Sequence, residues 1–220
     1  MEKIWLKNYQ DGIPAEIDPS VYTSIPNLMG ESFQKIADLP SFYNMGKTYT
    51  FRELETEVKK FASYLQNNLG LEKGDRVAIM LPNVLQYPIC FYGILFAGMV
   101  VVNVNPLYTA RELVHQLKDS GAQTIIIFEN SAHILESVLE NTEIKNILVT
   151  GIGDLLGFPK AQLVNFVLKY VKKMVPPWNI PAAKKFTQAL STGDAAKFKA
   201  PKLTLSDIAC LQYTGGTTGV

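Results

Sequence analysis

Arg76-Val77-Ala78-Ile79-Met80-Leu81 is a short apolar run closed by Pro82-Asn83, and it reads as a buried β-strand. An apolar, helix-length segment from about Pro88 to Ala97 leads from it to a second run, Met99 to Val104. Arg111 to Ser120 then has helical periodicity and precedes another strand, Thr124 to Phe128. A helix over Ala132 to Glu140 and a strand over Asn146 to Thr150 continue the alternation. Strands separated by single helices need crossover connections, so the expected class is α/β, a mostly parallel sheet with helices on its faces.

The same stretch raises a competing reading. No charged residue lies between Arg76 and Arg111, and Leu85 to Val104 is long enough to suggest a membrane span. Pro88 and Gly98 punctuate it, Gln86 and Asn103 sit near its ends, and no Lys or Arg cluster flanks it. Strand, buried helix and strand account for it better.

On the N-terminal side, Leu28, Phe33, Ile36 and Ala37 give Ser24 to Ala37 a helical spacing, and Phe42 to Thr50 reads as two short strands turning at Gly46. Thr50 with Glu53 forms a capping box. It opens a helix whose stripe of Leu54, Val58, Phe61, Ala62 and Leu65 runs to a stop at Gly70. Thr109 and Glu112 supply a second box of the same kind.

After Thr150 the pattern breaks. Leu155 to Gly193 contains Lys160, Lys169, Lys172, Lys173, Lys184 and Lys185 and no acidic residue, and Pro176, Pro177 and Pro181 divide it. Within it Ala161 to Val175 is expected to form an amphipathic helix, since at about 100° per residue its polar residues Asn165, Lys169, Lys172 and Lys173 share one side. Gly151-x-Gly153-x-x-x-Gly157 is read as a loop entering this insert, because no second strand ending in Asp or Glu follows it. Regular structure is expected to resume near Ser206, with Ile208 to Tyr213 as a buried strand. The chain thus divides into an α/β part (1–154), a basic amphipathic insert (155–200), and a strand with the start of a glycine-rich loop (201–220).

Composition narrows the function classes. Of 220 residues 47% are hydrophobic, enough for a globular core, and a net charge of +1 gives no reason to expect nucleic acid. Cys90 and Cys210 each lie in an apolar run, without disulfide or zinc-ligand spacing, and read as buried free thiols. Met1 to Ile17 is charged and lacks the apolar core of a secretory leader, so a cytoplasmic location is expected. His115 and His133 fall in helices without partners of ligand spacing, and Glu53 with Glu55 or Glu136 with Glu140 read as solvated helix faces. None of these is a candidate catalytic acid, base, nucleophile or metal ligand. Asn83 and Asn103 stand at strand ends that commonly line ligand crevices, and for them both a substrate-facing and a structural role are open.

The chemistry-bearing motif is Tyr213-Thr214-Gly215-Gly216-Thr217-Thr218-Gly219-Val220. Its glycines let backbone amides approach an anion, and its threonines add hydroxyl donors, a combination suited to phosphate. It lacks the Lys of a Walker A loop, and taken alone it is equally a polar turn after a strand.

This run resembles the signature loop of the adenylate-forming superfamily, which includes acyl-CoA synthetases, luciferases and peptide-synthetase adenylation domains. Gly215 stands where many members have Ser, a variant similar to that of bacterial long-chain acyl-CoA ligases. The stretches Lys73 to Asn83, Val101 to Thr109, Asp119-Ser120-Gly121-Ala122 and Phe51-Arg52-Glu53-Leu54 fit the same subgroup.

The resemblance implies that the chain is the N-terminal part of a large AMP-binding domain, with the rest of the site beyond Val220 and the piece alone inactive. It implies ATP, Mg2+ and CoA as cofactors and co-substrate, with Tyr213, Thr214, Gly215, Gly216, Thr217, Thr218, Gly219 and Val220 around the β and γ phosphates. Its implied partner is a long-chain fatty acid. Contact of residues 161–175 with an anionic membrane, peripheral at the inner face of the cytoplasmic membrane, and a homodimer are further expectations. A medium-chain or aromatic acid ligase, or a non-catalytic membrane or interaction module, are the alternatives.

Overall fold

The computed structural model describes residues 2–214. The first helix, α1 (Ile25–Lys35), is capped by Ser24, whose hydroxyl accepts from the Asn27 amide. A hairpin of β1 (Pro40–Asn44) and β2 (Lys47–Thr50) follows, turning at Gly46 with φ +81°. The expected capping box of Thr50 and Glu53 then starts α2 (Phe51–Asn67), and all five residues of its stripe are buried.

The alternation is as the sequence implies: β3 (Arg76–Met80), α3 (Gln86–Phe96), β4 (Val100–Asn103), α4 (Ala110–Ser120), β5 (Thr124–Phe128), α5 (Ala132–Val138) and β6 (Asn146–Thr150). Consecutive residues of the central strands point to opposite faces. Val77, Ile79, Val101, Ile126 and Leu148 pack against α1, α2 and α3. Ala78, Met80, Val102, Ile125, Ile127 and Val149 pack against α4 and α5. With both faces covered, the strands carry continuous apolar runs and not an alternation of apolar with polar.

Helix α3 lies against α1, α2 and the sheet, and eight of its eleven residues are buried, which explains the uncharged stretch that resembled a span. No helix among the described residues is long and apolar enough to cross a membrane.

The chain beyond Thr150 departs from expectation in three ways. Its helix is shorter than 161–175: α6 (Lys160–Phe166) continues as one π-helical segment (Val167–Val171), and Lys173 then takes φ +50° and turns the chain inward to a buried Val175. Regular structure also returns well before Ser206. Strand β7 (Lys184–Lys185) pairs parallel with β6, and α7 (Phe186–Thr192) packs on α2, with Phe186 meeting Phe61 edge-on at 5.2 Å between ring centroids. The pattern hid these because a two-residue strand of lysines has no apolar run to read. Finally β8 (Cys210–Gln212) pairs only with β4, so it is an edge strand of the described sheet, and Ile208 and Cys210 are exposed where burial was expected. Cys90 is buried as anticipated, and burial raises its thiol pKa well above the usual value.

The six-stranded sheet therefore runs β7-β6-β5-β3-β4-β8, all pairs parallel. Gly193, just past α7, sits where a Cβ would lie 2.1 Å from the Lys60 carbonyl oxygen. Gly193→Ala should accordingly lower stability by roughly 1–3 kcal/mol through overpacking of α7 against α2. Gly30→Ala, mid-helix in α1 with nothing within 4 Å of its Cβ position, should leave stability unchanged or raise it by up to about 1 kcal/mol. Urea unfolding of the two variants side by side checks the packing, and equal midpoints would contradict it.

Candidate functional site

The helices following β3 and β4 lie on opposite faces of the sheet, α3 on one and α4 on the other. The two chain segments leave the sheet edge in opposite directions, which opens a crevice beyond the strands' carboxyl ends, the usual ligand position in such sheets. A cavity of about 230 Å³ occupies that place, and Asn83, Tyr87, Asn103, Asn105, Gln212 and Tyr213 are among its lining residues.

Strand register assembles it. Ile79 pairs with Asn103, and Asn103 with Gln212, so one row across β3, β4 and β8 ends in two neighbouring amides. Asn103 Nδ2 donates to Gln212 Oε1 at 2.8 Å, and Tyr87 donates its hydroxyl to Asn103 Oδ1 at 3.0 Å. From behind, Gln116 Nε2 donates to the Asn103 carbonyl at 2.6 Å. Asn105 makes a local turn by accepting from the Leu107 amide, which aims the chain into the capped start of α4.

Of the eight loop residues singled out in the sequence, the structure places Tyr213 in the crevice lining on the β8 side, and Thr214 follows it, exposed and outside the lining. Gly215, Gly216, Thr217, Thr218, Gly219 and Val220 lie outside the described residues. Tyr213 is tied to α4, since its hydroxyl donates to Asp119 Oδ2. Partial burial, then the hydrogen bond to Asp119 and that carboxylate's charge, push the phenol up to about 12. Asn83 and Asn103 both face the crevice, and Asn103 also has the structural role. Tyr87 on α3, Gln116 on α4 and Gln212 on β8 were not legible as site residues, because only helix packing and the pairing of β8 with β4 bring them to Asn103.

The crevice lining carries amides and phenols and no carboxylate, imidazole or ammonium group. Such a surface can position a ligand and donate hydrogen bonds but transfers no protons near neutral pH. Among the described residues no group of His, Cys, Asp or Glu is arranged to hold a metal ion.

A larger cavity, about 520 Å³, lies beneath the insert helix and is lined by Glu129, Asp154, Lys169, Tyr170 and Trp178 among others. Asp154 there is a structural tie, accepting from the Gly151 amide and from Asn165 Nδ2. Burial, and then the charge of Asp154, raises the Glu129 pKa. The glycine-threonine run begins at the smaller crevice, so that is the candidate site.

Residues 31–220 match the family described as AMP-binding enzyme. The chain belongs to that family. It is 52% identical over 220 residues to the long-chain-fatty-acid–CoA ligase of Escherichia coli O157:H7, covering all of this chain and 39% of that protein. The chain thus spans about two fifths of the length of the curated relatives it matches.

Among solved structures, the anthranilate CoA ligase AuaEII in complex with anthranoyl-AMP superposes with a TM-score of 0.74 at 19% identity, covering 92% of this chain and 35% of that one. A long-chain-fatty-acid-CoA ligase (FadD1) from Archaeoglobus fulgidus gives 0.70 at 23% identity over 96% of this chain and 37% of that one. At these identities the likeness is one of fold. It agrees with the helix-flanked parallel sheet, the N-terminal part of the larger domain of an AMP-binding enzyme.

The tie between Tyr213 and Asp119 has a titration signature. Asp119→Ala removes both the charge and the hydrogen-bond acceptor, leaving only burial to raise the phenol, so Tyr213 should ionise nearer its ordinary value of about 10. An ultraviolet tyrosinate titration, taken as the difference from Tyr213→Phe, measures it. An unmoved titration would mean that Asp119 does not hold the ring.

Proposed function

We propose that the protein, in its full native length, activates a long-chain fatty acid with ATP and passes the acyl group to CoA. The observation that carries this reading is the 52% identity along the whole chain to a relative named a long-chain-fatty-acid–CoA ligase. The crevice at the carboxyl ends of β3, β4 and β8, where the glycine-threonine run begins, supports it.

In this reading a carboxylate oxygen attacks the α-phosphorus of ATP and pyrophosphate leaves. The CoA thiol then displaces AMP from the acyl-AMP to give the thioester. Thr214, Thr217 and Thr218 donate hydroxyls, and Gly215, Gly216 and Gly219 donate close backbone amides, to the β and γ phosphates. Tyr213 and Val220 bound the loop. Fixing the leaving group in line lowers the barrier mainly by orientation and by charge stabilisation. Mg2+ would neutralise phosphate charge when bound, and no carboxylate set among the described residues is arranged to carry it. No catalytic acid, base or nucleophile is assigned within 1–220.

Peripheral contact with an anionic membrane through residues 161–175 belongs to the same reading, with the inner face of the cytoplasmic membrane as its place. The exposure of Leu163, Phe166, Tyr170, Val171 and Met174 supports it.

Carboxylate-dependent pyrophosphate release, measured across acids of different length, tests the substrate class. Long-chain acids should give the highest kcat/KM; a maximum with medium-chain or aromatic acids would reassign the substrate, and no release with any acid would overturn the activity. Thr217→Ala should lower kcat about 10- to 100-fold, the value of a hydrogen bond to a charged group. The 220-residue piece alone should form no acyl-CoA, and measurable formation would refute that part.

A further inference from the structure

We infer that the β1–β2 hairpin tip and the insert helix form one continuous bilayer-docking face for a membrane surface carrying anionic lipid. The inference rests on the membrane reading of residues 161–175 and extends it to a second, distant part of the chain.

Lys160 to Val171 contains no buried residue, although a helix of this composition would ordinarily bury one face against its own protein. Leu163, Phe166, Tyr170 and Val171 are exposed, while Val164, Val167 and Leu168 are half-buried. Phe166 and Tyr170 pack side by side at 5.2 Å between ring centroids. Phe158, at the helix entrance, is 87% exposed.

The hairpin adjoins this surface. Lys160, the first residue of α6, donates its ammonium group to the Met45 carbonyl at the hairpin turn. Tyr43 beside that turn is 72% exposed, and Met45 is exposed as well. Two segments more than a hundred residues apart in sequence are thus strapped together, each presenting aromatic and apolar side chains to solvent. Exposed apolar surface gathered in one place marks an interaction site.

Charge selects the occupant. Neither 40–50 nor 155–193 contains Asp or Glu, while Lys47, Lys160, Lys169, Lys172 and Lys173 belong to these segments. Aromatic and aliphatic side chains among these lysines complement an apolar interior bordered by anionic headgroups, while the half-buried Glu129 and Asp154 line the cavity beneath the helix. The face also lies next to the crevice, because Asn44 Nδ2 donates to the Asn83 carbonyl at 3.3 Å and Asn83 lines that crevice. An amphiphilic acid partitioned in the bilayer therefore meets the protein on the side where the candidate site opens.

Co-sedimentation of the full-length protein with phosphatidylcholine vesicles, with and without phosphatidylglycerol, tests the inference. Tyr43→Ser combined with Phe158→Ser should weaken partitioning to anionic vesicles about tenfold, the order expected for withdrawing two partly buried apolar side chains. Lys169→Glu, Lys172→Glu and Lys173→Glu together should abolish the preference for phosphatidylglycerol. If the serine pair binds like the parent while the lysine changes lose binding, the joint face is wrong and the helix reading survives. If both bind like the parent, both fall. Tyr43→Trp gives an independent readout should the serine pair not fold: its fluorescence should be quenched by brominated lipid beyond the parent's, and no added quenching overturns the seating of the hairpin.

Discussion

Parallel pairing of β3 with β4, in register from Arg76 and Val100 to Ile79 and Asn103, is the constraint on which the rest of the structure depends. Parallel neighbours cannot be joined by a tight turn, so each strand must be followed by a covering helix. That requirement buries both sheet faces and makes the strands apolar throughout. It also decides where polar chemistry is possible. Inside the sheet nothing polar is tolerated without a partner, whereas at the carboxyl edge, between helices leaving on opposite faces, amides can be both satisfied and accessible. Asn103 meets both conditions. Its side chain accepts from Tyr87 and donates to Gln212, its carbonyl accepts from Gln116, and it still lines the crevice.

The insert divides along the same physical line. Phe186, Ala189 and Leu190 bury themselves against the sheet face that carries α2, and Ile180 joins the core of the opposite face. These contacts hold 180–192 to the body, and β7 adds its pairing with β6. Residues 158–174 bury no side chain fully, and Val164, Val167 and Leu168 are only half-buried. The turn at Lys173 separates the two behaviours, because directly after it Met174 is exposed and Val175 is buried. A helix kept outside in this way gains little from burial, so its order depends on backbone bonding and on Asn165, which accepts from the Gly153 amide and donates to Asp154.

Most of the fold was legible in the sequence, for reasons visible in particular residues. Thr124 to Phe128 and Asn146 to Thr150 are strands over the residues expected, since runs of four or five apolar or β-branched positions between polar turns leave little latitude. Capping boxes fixed the starts of α2 and α4, because a hydroxyl and a carboxylate three residues apart have few other uses. What stayed hidden depends on contacts distant in sequence. β7 exists only because β6 offers it an edge, β8 is exposed where burial was expected because among the described residues it pairs with β4 alone, and Gln212 joins Asn103 only through register. Of the crevice, Asn83, Asn103 and Tyr213 were legible from strand ends and the glycine-threonine run, while the partners of Asn103 were not.

The electrostatic character of the crevice limits what its own lining can contribute. An anionic ligand there meets no opposing carboxylate in the wall, and no lysine or arginine either, so attraction must come from oriented amides and hydroxyls. Of the described residues of the glycine-threonine run, Tyr213 brings a phenol to this wall, and its hydroxyl donates to Asp119 on α4. Burial first, and then Asp119, hold the phenol up to about 12, so it stays a neutral donor. The same contact ties the residue that follows β8 to α4, beside the amide row of the crevice.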